Sequence, residues 1–353
     1  MKILFIARKS LYSQAGGDSL QIKETAAYLG LLGYEITIST SKKEDPKDYD
    51  ILHFFNLIRP AQFLYYLQFN KPIVLTSIYV DYSEYESKKG GLARRLILKT
   101  FGKFGLEYFK TLGRWINKTD NYPSLSYLLN GQKSSIRKIL KQTKTLIVAS
   151  QQEGDLISKD FGFKPSLAKI SLGSEHFKTV DYCQTRNGIA CIARIEGLKN
   201  QLQLIKAMLE GEDKLQIIGQ AAANQPFYLE ECKKVAVENV EFTGQIEPDE
   251  IAEILSQTQV HAMVSYYETT GLSTIEALKS GCQVVISEKG GQKEIFGDHA
   301  FYADPENLDS IRNAISQAKA AKLSHKEWVM KTFSWEKSAK EISDIYLRIR
   351  KEK

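Results

Sequence analysis

Two carboxylates, Glu268 and Glu276, stand eight positions apart within 264–281, with Gly271 and Leu272 between them. The apolar, strand-like run 260–264 breaks into a polar loop, and Gly271 opens a segment in which Leu272, Ile275, Ala277 and Leu278 follow helical spacing. Glu268 therefore falls in the loop and Glu276 about a turn and a half into the helix. The N–H groups at Gly271 and Leu272 have no intrahelical acceptor and suit an anion. Carboxylates at the same place would repel phosphate, so they are better used as acceptors for hydroxyl pairs on the neutral parts of one ligand. A phosphate carrying sugars on both sides is a nucleotide sugar.

These side chains need strands to hold them. Residues 2–7 form an unbroken apolar run, as in a central parallel strand buried on both faces. A loop with Gly16 and Gly17 follows, then a helix from 19 to about 32 closed by Gly33. The loop does not supply G-x-G-x-x-G, which weighs against a nicotinamide dehydrogenase. Adjacent glycines still let a ligand approach the backbone, or simply make a turn. Strands at 35–40, 50–55 and 72–80, with a helix near 60–69, continue an alternating pattern that implies a parallel sheet with ligands at the C-terminal strand ends. Tyr79 and Asp81 fall there. A second series at 188–193, 214–219, 240–244, 260–264, 283–287 and 300–303 makes a second parallel sheet. Arg194 leaves the first strand of that series and Lys199 follows five positions later at a helix start, a placement suited to a diphosphate.

At 353 residues the chain fits two domains. Its four cysteines, Cys183, Cys191, Cys232 and Cys282, form no C-x-x-C pair and read as reduced core residues, which points to a cytoplasmic setting. No apolar run approaches a membrane span. The His and acidic residues are scattered, so no metal cluster is expected.

The stretch 264–281 resembles the E-x7-E motif of the retaining nucleotide-sugar glycosyltransferases of family four. Ser265, Gly271, Leu272, Glu276, Ala277 and Gly281, then the strand 283–287, Gly290, Gly291 and Glu294, match that family in order and spacing. Arg194 and Lys199 match its Gly-Arg-x4-Lys-Gly pattern, with Ala193 and Asn200 in place of the glycines. Thr269 and Thr270 stand where Gly and Phe are usual, and 77–79 lacks the His found near the reacting sugar in many relatives. The resemblance implies the α/β GT-B fold, two Rossmann-like parallel-sheet domains facing across a cleft. The first, 1–177, would be the acceptor side, with the C-terminal helix 335–353 returning to pack on it; the second, 188–334, would bind the donor. It further implies catalytic roles for Arg194, Lys199 and Glu268. Gly16, Gly17, Thr270, Gly271, Leu272 and Glu276 would bind the donor, and Tyr79 or Asp81 would stand on the acceptor side. Glu268 would approach the donor sugar and Glu276 the ribose diol. No cofactor is implied; a UDP- or GDP-sugar is the substrate, and the acceptor an envelope glycan or lipid-linked oligosaccharide. The rival readings are a nucleotide-sugar epimerase of the same fold, and a non-catalytic membrane-associated subunit that binds nucleotide sugars.

The net charge of +6 is unevenly spread. Between 88 and 118 nine Lys and Arg face only Glu107, interleaved with Leu, Phe, Ile and Trp at near-helical spacing. This composition suits an anionic membrane interface, or equally a solvated helix packed on its own domain. Gly90, Gly91, Gly102, Gly105 and Gly113 are expected to split it into short helices. No nucleic-acid-binding module accompanies the basic residues.

Overall fold

The computed structural model describes residues 1–13, 16–162, 166–180, 185–322 and 324–352. Gln14 and Ala15 of the glycine loop, and Cys183, lie outside them. The chain divides into two compact units, Met1–Leu172 with Trp335–Lys353, and Gly173–Ser334. The first contains β1 (Lys2–Ile6), α1 (Gly17–Leu31), β2 (Glu35–Ser39), β3 (Ile51–Phe55), β4 (Ile73–Thr76), α2 (Ser83–Lys89), α3 (Leu92–Ile116), α4 (Leu125–Gln142), β5 (Thr143–Val148), α5 (Gln151–Phe161) and β6 (Leu167–Lys169). The second contains β7 (Asn187–Ile192), α6 (Gln201–Met208), β8 (Leu215–Ile218), α7 (Pro226–Val235), β9 (Val240–Gly244), α8 (Pro248–Gln257), β10 (Thr258–Met263), α9 (Leu272–Lys279), β11 (Gln283–Ser287), α10 (Gln292–Phe296), β12 (Phe301–Ala303), α11 (Leu308–Ala320) and α12 (Lys326–Thr332). The last helix, α13 (Trp335–Lys351), belongs to the first unit.

Each unit holds a six-stranded parallel sheet, in the orders β2-β1-β3-β4-β5-β6 and β12-β11-β10-β7-β8-β9. Both are covered on both faces, which is why their central strands read as continuous apolar runs. In β1, Leu4 and Ile6 enter one core while Ile3 and Phe5 enter the other. The second core also receives Ala339, Ile342, Ile345, Tyr346 and Ile349, the buried stripe of α13. The hydroxyl of Tyr346 lies 2.6 Å from Nδ1 of the fully buried His53, whose Nε2 is 2.8 Å from Thr76 Oγ1, so this histidine is a satisfied core residue.

Three expected elements differ. The strand expected over 72–80 ends at Thr76, because the buried Glu153 carboxylate accepts from Ser77 Oγ at 2.6 Å and from the Tyr79 N–H at 2.6 Å. The Tyr79 N–H is thereby lost to the ladder, and Ile78 turns to a φ of 43°. The helix expected near 60–69 is two 3₁₀ turns, Pro60–Gln62 and Tyr66–Phe69; Pro60, Phe63 and Tyr66 are buried at a spacing of three, the pitch that aligns them on one side. Within 92–116 only Gly102 departs from helical geometry, at a φ of 67°, while Gly105 and Gly113 stay helical.

Candidate active site

In the second sheet the chain runs from β7 outward through β8 to β9, then returns to β10 on the other side of β7 and runs outward through β11 to β12. The loops leaving β7 and β10 therefore diverge, and the crevice between their starts is where such sheets bind ligands. Arg194 and Lys199 lie in the first loop; Glu268, Thr270 and Gly271 lie in the second. Three contacts lock the loops together. The Tyr266 N–H donates to Leu198 O at 2.8 Å, Asn200 Nδ2 donates to Val264 O at 3.1 Å, and Lys199 Nζ lies 2.5 Å from Glu268 Oε2.

Asn200 also explains one departure from the expected motif. It caps α6 at a φ of 61°, a left-handed conformation that glycine adopts freely and asparagine tolerates, and its amide also reaches Pro305 O at 2.8 Å. Arg194 is the more exposed cation. Its guanidinium is 3.7 Å from Glu196, and its side chain is 47% accessible against 19% for Lys199.

The loop before α9 is tightly tied. Thr269 N–H donates to Glu268 Oε1 at 3.1 Å, Gln292 Nε2 donates to Thr269 O at 3.1 Å, and Thr270 is buried. Gly271, at a φ of 75°, caps α9, and no side chain accepts from its first N–H groups. A Cβ added there would lie 3.2 Å from Thr274 Oγ1 and 3.5 Å from Gln292 Oε1. Both of those oxygens are buried and lack a hydrogen-bond partner, as is Ser265 Oγ at the end of β10. The start of α9, capped by Gly271, presents backbone N–H groups suited to an anion.

Glu276 lies on the half-exposed side of α9, where its Oε1 is 3.0 Å from His176 Nε2. His176 sits 100 positions earlier, in the passage 169–177, where its sequence reads only as a loop residue. Lys279, one turn beyond Glu276, fixes that loop by donating to Ser174 O at 2.6 Å and Phe177 O at 2.7 Å. Burial holds the Lys279 ammonium below its ordinary value against the pull of Glu175 and Glu276. The structure thus gathers Arg194, Lys199, Glu268, Thr270, Gly271, Leu272 and Glu276 in one unit, with His176 and Gln292 as additions.

The other expected site residues belong to the first unit. Gly16 and Gly17 start α1 after β1, at the point where strand order reverses between β1 and β3. Arg8 there donates to both oxygens of Asp18, at 2.7 and 3.0 Å. Tyr79 is 5% exposed and packs on Phe161, and its hydroxyl donates to Asp160 at 2.8 Å; burial, with Asp160 adding to it, pushes the phenol far above its ordinary value. Asp81 accepts from Ser83 N–H at 2.9 Å and from Lys103 Nζ at 2.7 Å; burial raises its pKa, but these bonds outweigh it and hold the carboxyl below its ordinary value. Both side chains are engaged in the fold of their own unit. Among the described residues no group of three or more His, Cys, Asp and Glu could hold a metal.

A family model described as "Glycosyl transferases group 1" matches residues 175–335, the stretch that carries Glu268, Gly271 and Glu276. Residues 175–335 are therefore similar to a group 1 glycosyltransferase domain. An uncharacterized glycosyltransferase of Methanocaldococcus jannaschii is 29% identical over 173 residues, 45% of this chain and 44% of that protein. An MMP alpha-(1->4)-mannosyltransferase of Mycolicibacterium hassiacum is 21% identical over 228 residues, 60% of this chain and 55% of that one. The chain thus spans about half the length of these relatives. Among solved structures, sucrose-phosphate synthase from Thermosynechococcus elongatus aligns over 100% of both chains with a TM-score of 0.75 at 16% identity. HepE of Anabaena, solved with UDP and glucose, covers 98% of this chain and 99% of its own at a TM-score of 0.68 and 14% identity. These likenesses show the fold, two parallel-sheet α/β units of the GT-B class, and the match to the group 1 glycosyltransferase model falls on the second.

Proposed function

We propose that the chain is a retaining glycosyltransferase that moves a sugar from a UDP- or GDP-sugar to an envelope glycan or lipid-linked acceptor. The observation that carries this reading is the convergence of Arg194, Lys199, Glu268 and the open start of α9 on the switch point of the second sheet. The diphosphate would lie against Arg194, Lys199 and the N–H groups at Gly271 and Leu272. These would stabilise the charge that builds on the leaving group as the sugar–phosphate bond breaks. Glu268 would accept from donor sugar hydroxyls and Glu276 from the ribose diol. Retention follows if the acceptor attacks the face the diphosphate leaves, a departing phosphate oxygen taking the acceptor's proton. A neighbour solved with UDP-glucose, and a neighbour titled as a glycosyltransferase involved in lipopolysaccharide biosynthesis, support the donor class and the envelope acceptor.

The test is a thermal-shift panel of UDP-, GDP- and ADP-sugars followed by product analysis with the one that binds. A donor at about 100 times its Kd stabilises the fold by about 2.7 kcal/mol. Release or transfer of labelled sugar with its anomeric configuration kept supports the reading. An inverted product refutes retention, recovery of an epimerised donor identifies the epimerase, and binding without turnover leaves a non-catalytic subunit.

A further inference from the structure

Half of the large apolar side chains that stand exposed among the described residues lie in 92–129, on α3 and the start of α4. Leu92, Leu96, Ile116 and Leu129 are between 66% and 84% accessible. Its aromatic members pair, Phe101 against Phe109 at 5.5 Å and Trp115 against Tyr122 at 5.1 Å between ring centroids.

The basic residues of 88–118 divide into two classes. Lys88 pairs with Glu84, Arg94 with Glu86, Lys103 with Asp81 and Asp160, Lys110 with Glu86 and Glu107, and Arg114 lies beside Asp120, so these five are engaged within the unit. Lys89, Arg95, Lys99 and Lys118 are exposed and have no acidic partner among the described residues. Leu92, Arg95, Leu96 and Lys99 occupy positions i, i+3, i+4 and i+7 of α3, one face on which apolar and cationic side chains alternate. The acids of 92–130, Glu107 and Asp120, are both turned inward into ion pairs.

We infer that this face of α3 and α4 docks reversibly on an anionic lipid surface. Charge complementarity selects that occupant. A lipid leaflet offers anionic headgroups for Arg95 and Lys99 at the level where Leu92, Leu96 and Phe101 reach the acyl boundary. A second copy of the chain, meeting the same patch across a two-fold axis, would set these cations against each other. That the lipid surface also presents the acceptor rests on the transferase reading above; the docking itself does not.

The experiment is vesicle sedimentation of the full chain with phosphatidylglycerol–phosphatidylcholine or phosphatidylcholine alone, at low and high salt. Wild type, Arg95→Glu with Lys99→Glu, and Leu92→Gln with Leu96→Gln are compared; every substituted side chain is exposed, and circular dichroism verifies folding. Wild type is expected to pellet with the anionic vesicles only and to be released by salt, and each double variant to lose at least about tenfold in partitioning. Three results overturn the inference: no pelleting, equal pelleting with neutral vesicles, or unchanged binding by the charge-reversed variant. A lipid-free dimer that the leucine variant abolishes would assign the face to a second copy and also overturn it. Nucleotide binding, measured on the same proteins, is expected to be unchanged in the variants, and its absence from wild type would refute the transferase reading without touching this one.

Discussion

Replacing Glu276 by Ala tests the donor site at the residue with the most specific assignment. Its carboxylate is 14% accessible and contacts His176 at 3.0 Å, an arrangement that leaves lone pairs on both oxygens for a ribose diol. Removing a charged acceptor from such a contact costs about 1.5 to 3 kcal/mol, or roughly 10- to 150-fold in Kd. The substitution also strips His176 of this partner, so a His176→Ala variant serves as the control: it breaks the same pair but keeps the carboxylate. Isothermal calorimetry with the free nucleoside diphosphate and with the nucleotide sugar is expected to show both weakened together in Glu276→Ala, because the ribose is common to them. His176→Ala should lose less than about threefold, since the diol contact survives. Equal affinity of Glu276→Ala and wild type for the nucleotide would remove Glu276 from the site. An equal loss in both variants would refute the diol role and leave only a structural pair.

Arg194→Ala and Lys199→Ala should each lower turnover at saturating donor more than about tenfold while the protein stays folded, because their charge matters most as the diphosphate leaves; unchanged turnover would contradict this. Glu268→Gln should bind the free nucleoside diphosphate at least as well as wild type yet lose about tenfold for the nucleotide sugar, and equal losses for both would sink that assignment. Asn200→Gly should be tolerated better than Asn200→Ala in urea unfolding. Alanine pays about 1 to 2 kcal/mol for the left-handed backbone, and both variants lose the two amide contacts. Acid should destabilise both units: burial lowers His53 to about 3 and His261 to about 4, so between those values and the ordinary 6.5 only the unfolded chain takes up the proton and stability falls as pH falls. At pH 5 each histidine costs its unit about 2 kcal/mol relative to neutral pH, which His53→Gln or His261→Gln should reduce in pH-dependent urea titrations.

The parts of the site legible in the sequence are those whose chemistry and position are set within one loop. Glu268, Gly271 and Glu276 span a strand end, a helix start and a second turn, so spacing alone places them relative to one another. Arg194 and Lys199 are legible for the same reason on the preceding loop. What spacing cannot show is contact between loops. Lys199 meets Glu268 across 69 positions and His176 meets Glu276 across 100, and only the strand order that sets β10 beside β7 brings the first pair together. The same limit misjudged 88–118. Counted within that window its cations face a single acid, whereas Glu86 upstream, Asp120 downstream and Asp81 and Asp160 from elsewhere in the unit neutralise several of them. The overlong strand at 72–80 failed likewise: Ile78, Tyr79 and Val80 continue the apolar run, but Glu153, 74 positions beyond Tyr79, takes the backbone donor the ladder would need.

Charge accounting at the second unit's switch point bears on how the donor must enter. Arg194 lies beside Glu196 and Lys199 beside Glu268, so these two cations bring no excess of positive charge to draw in a diphosphate. At 2.5 Å from Glu268, Lys199 cannot keep that contact and also give a phosphate oxygen its best bond. In the proposed complex one exchange resolves both demands. Lys199 turns from Glu268 to the diphosphate, and the released carboxylate accepts from a sugar hydroxyl, so one charge-assisted contact is replaced by two. A free nucleoside diphosphate can complete only half of this exchange, because it brings the phosphate but no sugar hydroxyl, and Glu268 is left as an unpaired anion beside it. In that proposed complex the pairing of Lys199 with Glu268 would make the site select the intact donor over its own product, a preference that would favour release of the nucleotide once the sugar has left.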